Sequence, residues 1–459
     1  MNGDINMKTC KVLMPSGGVG SGIHKEAFER GLNMAPDVIA VDGGSTDSGP
    51  YYLGTGEGKY AREALKNDLR IMVNGAHKLG IPVMVGSCGT CGSDYGVNLC
   101  ADIVEEIFKK DGFRMKIAKI FTQQDPKTLK EKWKQGKIHP LEGAPEITEK
   151  TFDECSTIVA VAGIEPFVKA LREGAQIVLC GRATDTADIA ALPIMMGCNE
   201  AAAWHAGKTI ECGGVCLTSQ HFSSVMAEID EEGFKVYPTI ADPDVKATPY
   251  TISAHMLYEN ANPYQLTEPS GTFDTSQAVY TQIDDRSVYV KGTTFTHAKQ
   301  YTMKLEGSGP VGYQTVSIVG IADKGVCVDP ETWMNNLTQD AVSKLNKYGF
   351  SPEDYSFDLK PYGYNAVTGA KPKKGMPPPR EIGLMLIVTA NTQELANQIS
   401  KVWNPLLLHF PVYEGGLMPS FAFPFSPAHI EKGKIFEFKL YHVVDLDDPL
   451  ELCRIEYVD

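Results

Sequence analysis

The chain has 459 residues, a formal net charge of −14, 43% hydrophobic and 22% charged residues, which is the composition of a globular protein with room for two or three domains. Its acidity is spread along the chain rather than gathered in a tail, which argues against bulk nucleic-acid binding. No apolar run approaches the ~18 residues of a membrane span.

Residues 1–10 lack the basic-then-apolar layout of a secretory signal. Eleven scattered cysteines, an odd number, read as reduced thiols, so a cytoplasmic protein is expected. A strand is predicted over 11–14, followed by a glycine-rich turn over 15–22 and a helix over 24–32. Glycines let backbone N–H groups approach an anion, so Ser16, Gly17, Gly18 and Gly20 are candidate substrate-binding positions. Their spacing matches neither a dinucleotide fingerprint nor a P-loop, a weak basis for a nicotinamide cofactor. A second strand over 37–41 ends in the loop 42–49, where Asp42, Ser45 and Thr46 are candidate ligand contacts or simply turn residues. An amphipathic helix follows over 60–79.

The third strand, 81–85, leads into Gly86-Ser87-Cys88-Gly89-Thr90-Cys91-Gly92. Ser87 is a candidate substrate contact. Cys88 and Cys91 read as a redox pair, half of a zinc or iron–sulfur site, or a glycine loop that carries thiols. A metal would need further ligands from elsewhere, with Cys100, Cys180 and Cys212 available. A helix over 97–110, a strand over 113–121, a polar excursion over 123–149, a strand over 156–161 and a helix over 164–173 come next.

The run 177–180 reads as a strand buried on both faces. Gly181 then turns the chain, and Thr184 or Asp185 is placed to cap the following helix. Arg182, Asp185 and Asp188 fall at the carboxyl end of that strand, where open α/β sheets hold ligands. The plainer reading is an Arg–Asp brace. Strand, glycine loop and helix repeat about five times, predicting a doubly wound, mostly parallel α/β sheet. The loops at Ser16, Asp42, Cys88 and Arg182 should then emerge at one edge and enclose a polar pocket.

Residues 163–185, with their Gly181-Arg182-x-x-Asp185 element, resemble the acyclic terpene utilisation AtuA family. So do 205–214, 268–272, 380–383, 423–427 and 442–444. The resemblance covers nearly the whole chain, although the thiols of 87–91 depart from the Gly, Ala and Asn residues of relatives. It implies catabolism of branched acids as coenzyme A thioesters, and members are often encoded beside a small companion protein. It also implies an AtuA-like core over 1–370 and, after the proline-rich linker 371–380, a ferredoxin-like α+β domain over 381–459.

Within 204–214, His205 and Glu211 are candidate acids or bases and Cys212 a candidate nucleophile. A histidine in an Ala-rich helix is more often a satisfied core residue, and Cys212 could simply fill a small space. An added β-rich layer is predicted over 275–304, a turn over 306–310, and a strand over 314–321. The aromatic, proline-rich loop 419–427 reads as a lid or subunit contact in a homo-oligomer.

The functional expectation is a lyase, hydratase or dehydratase for a small carboxylic acid or its coenzyme A thioester. Arg182 would fork the carboxylate, Asp185 or Glu211 would move the proton, and the 16–22 backbone would hold negative charge. Two alternatives remain: a metal-dependent hydratase using Cys88 and Cys91, and a non-catalytic subunit that needs a small companion protein.

Overall fold

Short runs of Val, Ile, Leu and Ala, buried on both faces, form the middle of a ten-stranded sheet in a computed structural model. It describes residues 8–219, 224–373, 375–413, 416 and 421–459. Residues 1–7 of the stretch read for a leader, Lys374 of the linker, and Pro419 and Ser420 of the aromatic loop lie outside the described residues.

The strands run in the order Val279–Gln282, Val288–Lys291, Gly233–Pro238, Val225–Ile229, Cys10–Met14, Val38–Asp42, Val83–Gly86, Ile177–Cys180, Ile117–Phe121 and Arg454–Val458. The five from Cys10–Met14 to Ile117–Phe121 pair in parallel. The pairings outside them are antiparallel. The sheet is therefore mixed, not mostly parallel as the strand–loop–helix repeat predicted. That repeat speaks only for the first 180 residues, whereas the flanking strands come from hairpins and from the chain end.

Helices fall close to their predicted places. Lys25–Asn33 is capped by His24, whose Nδ1 accepts the Ala27 N–H at 3.2 Å. Arg62–Leu79 buries Leu65, Asp68, Leu69, Met72, Val73 and Ala76 and ends at Gly80 in the left-handed conformation. The helix after Arg182 is Ala187–Met196, with Thr186 at its N-cap and no side-chain cap. Thr184 and Asp185 therefore do not cap it, because the chain makes a further turn before the helix begins.

The predicted turn over 306–310 is instead the middle of a long strand, Tyr301–Ile321. Its first part pairs with Thr157–Val161, Glu306 opposite Val159. The glycines are there for close approach. A Cβ on Gly309 would stand 2.0 Å from the Glu154 carbonyl oxygen.

The chain divides into one unit of residues 1–309 plus 438–459 and a second of 310–437. The division thus falls inside strands Tyr301–Ile321 and His429–Leu446, not at the 371–380 segment, where sequence placed it. In the second unit, apart from the short helix Lys324–Val328 and the two-residue strand Phe421–Ala422, the element order is strand, helix Pro330–Lys347, strands Tyr355–Tyr362 and Ile382–Ala390, helix Gln393–His409, strand. That is the β-α-β-β-α-β order of the ferredoxin-like motif. Its first half precedes the prolines, so the prolines interrupt the unit instead of bounding it. Trp403, Leu386, Val388, Leu337 and Trp333 form its core.

Candidate active site

The parallel strands Cys10–Met14, Val38–Asp42, Val83–Gly86 and Ile177–Cys180 are immediate neighbours, so the loops at their carboxyl ends meet. They open on a cavity of about 300 Å³ whose lining includes Gly17, Asp42, Ser45, Asp185, Glu211 and Cys212. Asp185 and Glu211 also line a larger cavity of about 700 Å³, with Arg182, Lys208, Glu268 and Lys304. Close loop packing makes this convergence possible. Gly92 has φ +67°, and a Cβ there would stand 2.1 Å from the Arg182 backbone nitrogen.

Arg182 is 6% exposed and tightly held. Its Nε donates to Glu306 Oε2 at 3.0 Å, and its Nη1 to Ser87 Oγ at 3.0 Å, to the Ala183 carbonyl at 2.8 Å and to Asp185 Oδ1 at 3.2 Å. Lys304 Nζ reaches Glu306 Oε1 at 2.7 Å. Burial works to lower the guanidinium pKa, but Glu306, Asp185 and Asp42 raise it by more. Burial likewise works to raise Glu306, yet Arg182 and Lys304 hold it at about 2. Arg182 is thus a brace with Nε and Nη1 engaged inside the protein, the plainer of its two readings. Ser87, at φ +41°, keeps a strained backbone while its hydroxyl holds Arg182.

The other carboxyls show the opposite pattern. Asp42 accepts the Gly44 N–H at 2.9 Å. Its carboxyl is pushed up to about 8 by burial and by the charge of Asp185, against the pull of Arg182. Asp188 is fully buried with no partner for either oxygen, and burial with nearby Asp42 drives its pKa well up. Asp42 Oδ1 and Asp188 Oδ1 lie 3.3 and 3.8 Å from the point where a Gly86 side chain would begin. Glu211 pairs with Lys208 through Oε1, leaves Oε2 without a partner, and is raised by burial. Glu268 accepts from Thr186 at 2.6 Å and is pushed up to about 7 by burial. A cavity wall rich in acids is therefore less negative than its sequence suggests.

Several expected roles change. The N–H groups of Gly20 and Gly22 donate to Asp68 Oδ2 at 2.8 and 3.0 Å, so the glycine cradle already holds an internal carboxylate. Ser16 Oγ donates to the Gly18 carbonyl within that turn. Gly17 and Ser45 reach the smaller cavity, while Thr46 is buried in the short helix Thr46–Ser48. His205 is not at the cavity among the described residues. Its Nδ1 meets Thr293 Oγ1 at 2.7 Å and its Nε2 meets Tyr280 Oη at 3.3 Å, with Phe234 and Phe273 packed on the ring. Burial lowers its pKa to about 3, which makes it a neutral core residue and not an acid or base.

Cys212 is at the cavity, but burial and neighbouring Glu211 raise its thiol pKa, the reverse of nucleophile activation. Cys88 and Cys91 part company. Cys88 joins the main core, whereas Cys91 packs with Leu53 and Val159. Among the described residues neither belongs to a group of three convergent metal ligands. Both thiols are free and buried.

Sequence reading gave no role to Lys59, Lys208, Glu259, Glu268 and Lys304, which line the two cavities, nor to Glu306, His255 and Asp68. Asp68 left a signal: it stands three residues after Leu65 and four before Met72, on the helix's apolar face. Glu306 left none, since it lay inside an apparent turn.

The sequence model described as "Acyclic terpene utilisation family protein AtuA" matches residues 53–429. No match was found among curated proteins or among solved structures.

Proposed function

The chain belongs to the acyclic terpene utilisation AtuA family, and from that membership and the carboxyl cavity we propose an enzyme of catabolism, a lyase or hydratase acting on a small carboxylic acid or its coenzyme A thioester. The observation that carries this reading is Asp42: a carboxyl pushed up to about 8 in a cavity it shares with Asp185. Pairs of carboxyls in unlike environments are the usual way to divide acid from base.

Asp185, held at 3.2 Å by Arg182, is assigned as the base that removes a proton from the carbon beside the carboxyl or thioester carbonyl. The freed electron pair forms the carbon–carbon double bond as the hydroxyl on the next carbon departs. Asp42, protonated near neutral pH, gives its proton to that hydroxyl, which leaves as water. Hydration runs the same steps backwards. Lys59 and Lys208 line the two spaces and supply positive charge for a carboxylate. A cavity of about 300 Å³ suits a small acid or the acyl end of a thioester.

The test is to incubate the purified chain in deuterium oxide with a panel of hydroxy acids, enoic acids and their thioesters. Deuterium should enter the carbon beside the carbonyl, and Asp42→Asn should suppress net dehydration. A folded wild-type chain that neither exchanges nor turns over any member of the panel would overturn the assignment.

A further inference from the structure

We propose that Glu211, Cys212 and His255 form a binding site for one zinc ion, with an open coordination position facing the cavity. One ligand atom from each, a carboxylate oxygen, the thiol sulfur and a ring nitrogen, lies within 4.8 Å of the other two. In a tetrahedral zinc site, bonds of about 2.0–2.3 Å place ligand atoms about 3.5 Å apart, so at most about 1.3 Å of closure is needed.

Two observations beyond proximity point to a ligand. His255 Nε2 and Glu211 Oε2 are both buried without a hydrogen-bond partner. A buried polar atom left so pays its desolvation cost unrewarded, and a shared cation would satisfy both at once. The local fold also aims negative potential there. Glu211 is the C-cap of helix Glu200–Ile210, and His255 is the last residue of helix Pro249–His255. Helix carboxyl ends carry partial negative charge.

Backbone packing sets the position of Cys212. A Cβ on Gly17 would stand 2.8 Å from the Cys212 carbonyl oxygen, so the two loops lie directly against each other. Glu211 and Cys212 line the smaller cavity, which leaves room for a water or substrate oxygen on the metal. Zinc accepts carboxylate oxygen, imidazole nitrogen and thiolate sulfur, and three protein donors with the fourth position open is the arrangement of a catalytic zinc site. On binding, the thiol gives its proton to solvent, and one thiolate plus one carboxylate neutralise the ion. Lys208 remains on Glu211 Oε1 and leaves Oε2 to the metal. The inference stands on ligand geometry and does not depend on the acid–base assignment to Asp42 and Asp185.

The experiment uses the full chain, stripped with a chelator and titrated with zinc against a chromophoric competitor, then with cobalt(II). One equivalent should bind. The cobalt form should show a thiolate-to-metal charge-transfer absorption in the near ultraviolet. Cys212→Ser should lose that absorption, and both Cys212→Ser and His255→Gln should weaken zinc binding at least about 100-fold, beyond the loss seen for outer-sphere partners. Cys88→Ser with Cys91→Ser should keep the full equivalent. Should His255→Gln fail to fold, the cobalt absorption and its dependence on Cys212 decide the matter. No zinc bound by the wild-type chain, or unaltered binding in folded Cys212→Ser, would overturn the proposal.

Discussion

Two buried polar clusters in the first unit can be set side by side. Around Arg182, the guanidinium, Ser87, Asp185, Glu306 and Lys304 meet one another within 3.2 Å. Around Glu211, by contrast, a carboxylate oxygen and the His255 ring nitrogen end in the protein without a partner. The same distinction separates two of the buried histidines: both nitrogens of His205 are met, and Nε2 of His255 is not. Arg182, Ser87, Glu306, Glu211 and both histidines are buried, and Asp185 and Lys304 are partly so. What differs is whether the fold itself supplies a partner: Glu306 Oε1 still meets the Lys304 ammonium, whereas the Glu211 and His255 atoms meet nothing, and such a set is where a ligand has something to gain.

That contrast can be broken in four ways, taken from the largest expected effect down. Asp42→Asn should lower turnover by about 10²–10⁴-fold, the range for loss of a general acid or base. Its stability in urea should change little, because an amide resembles the protonated carboxyl. Unchanged turnover would remove Asp42 from the chemistry.

Arg182→Met should instead act on the fold. Breaking a buried ion pair by removing one partner costs about 3–5 kcal/mol, readable as a lower urea midpoint. A loss under about 1 kcal/mol would show that Lys304 alone suffices to neutralise Glu306. His205→Phe should cost about 1–3 kcal/mol by leaving the Thr293 hydroxyl without its imidazole partner. Zinc binding measured on the same variant should be unaltered, and a weakened site would mean that the two histidines are not independent.

The smallest effect is a pH dependence. The folded-state pKa of Asp42, about 8, lies above its ordinary value of 3.8, so the folded state holds a proton that the unfolded chain has lost. Its contribution is fully present at low pH and is lost as pH rises through about 8. Between pH 7 and 8 the protein should lose about 1 kcal/mol from this group. His205, lowered to about 3, acts with the opposite sign but only below its ordinary value of 6.5. Asp42→Asn should make the decline between pH 7 and 8 shallower by about that 1 kcal/mol, the raised carboxyls of Asp188 and Glu211 keeping their own share, and an equally steep curve in that variant would place the titration elsewhere.

Much of the frame was legible in the residues. Short apolar runs ending in glycine loops located Cys10–Met14, Val38–Asp42, Val83–Gly86 and Ile177–Cys180, and the inference that their loops share an edge holds. Local pattern determines a strand and its turn, since both depend on neighbours a few positions away. Which atoms are already occupied is another matter. That Asp68 fills the glycine cradle, that Glu306 reaches Arg182 across 124 residues of sequence, and that His255 rather than Cys88 stands beside Cys212 were decided only by tertiary contacts. The reason is physical: partner and competitor for a buried charge lie far apart in the chain, and no local periodicity records their meeting.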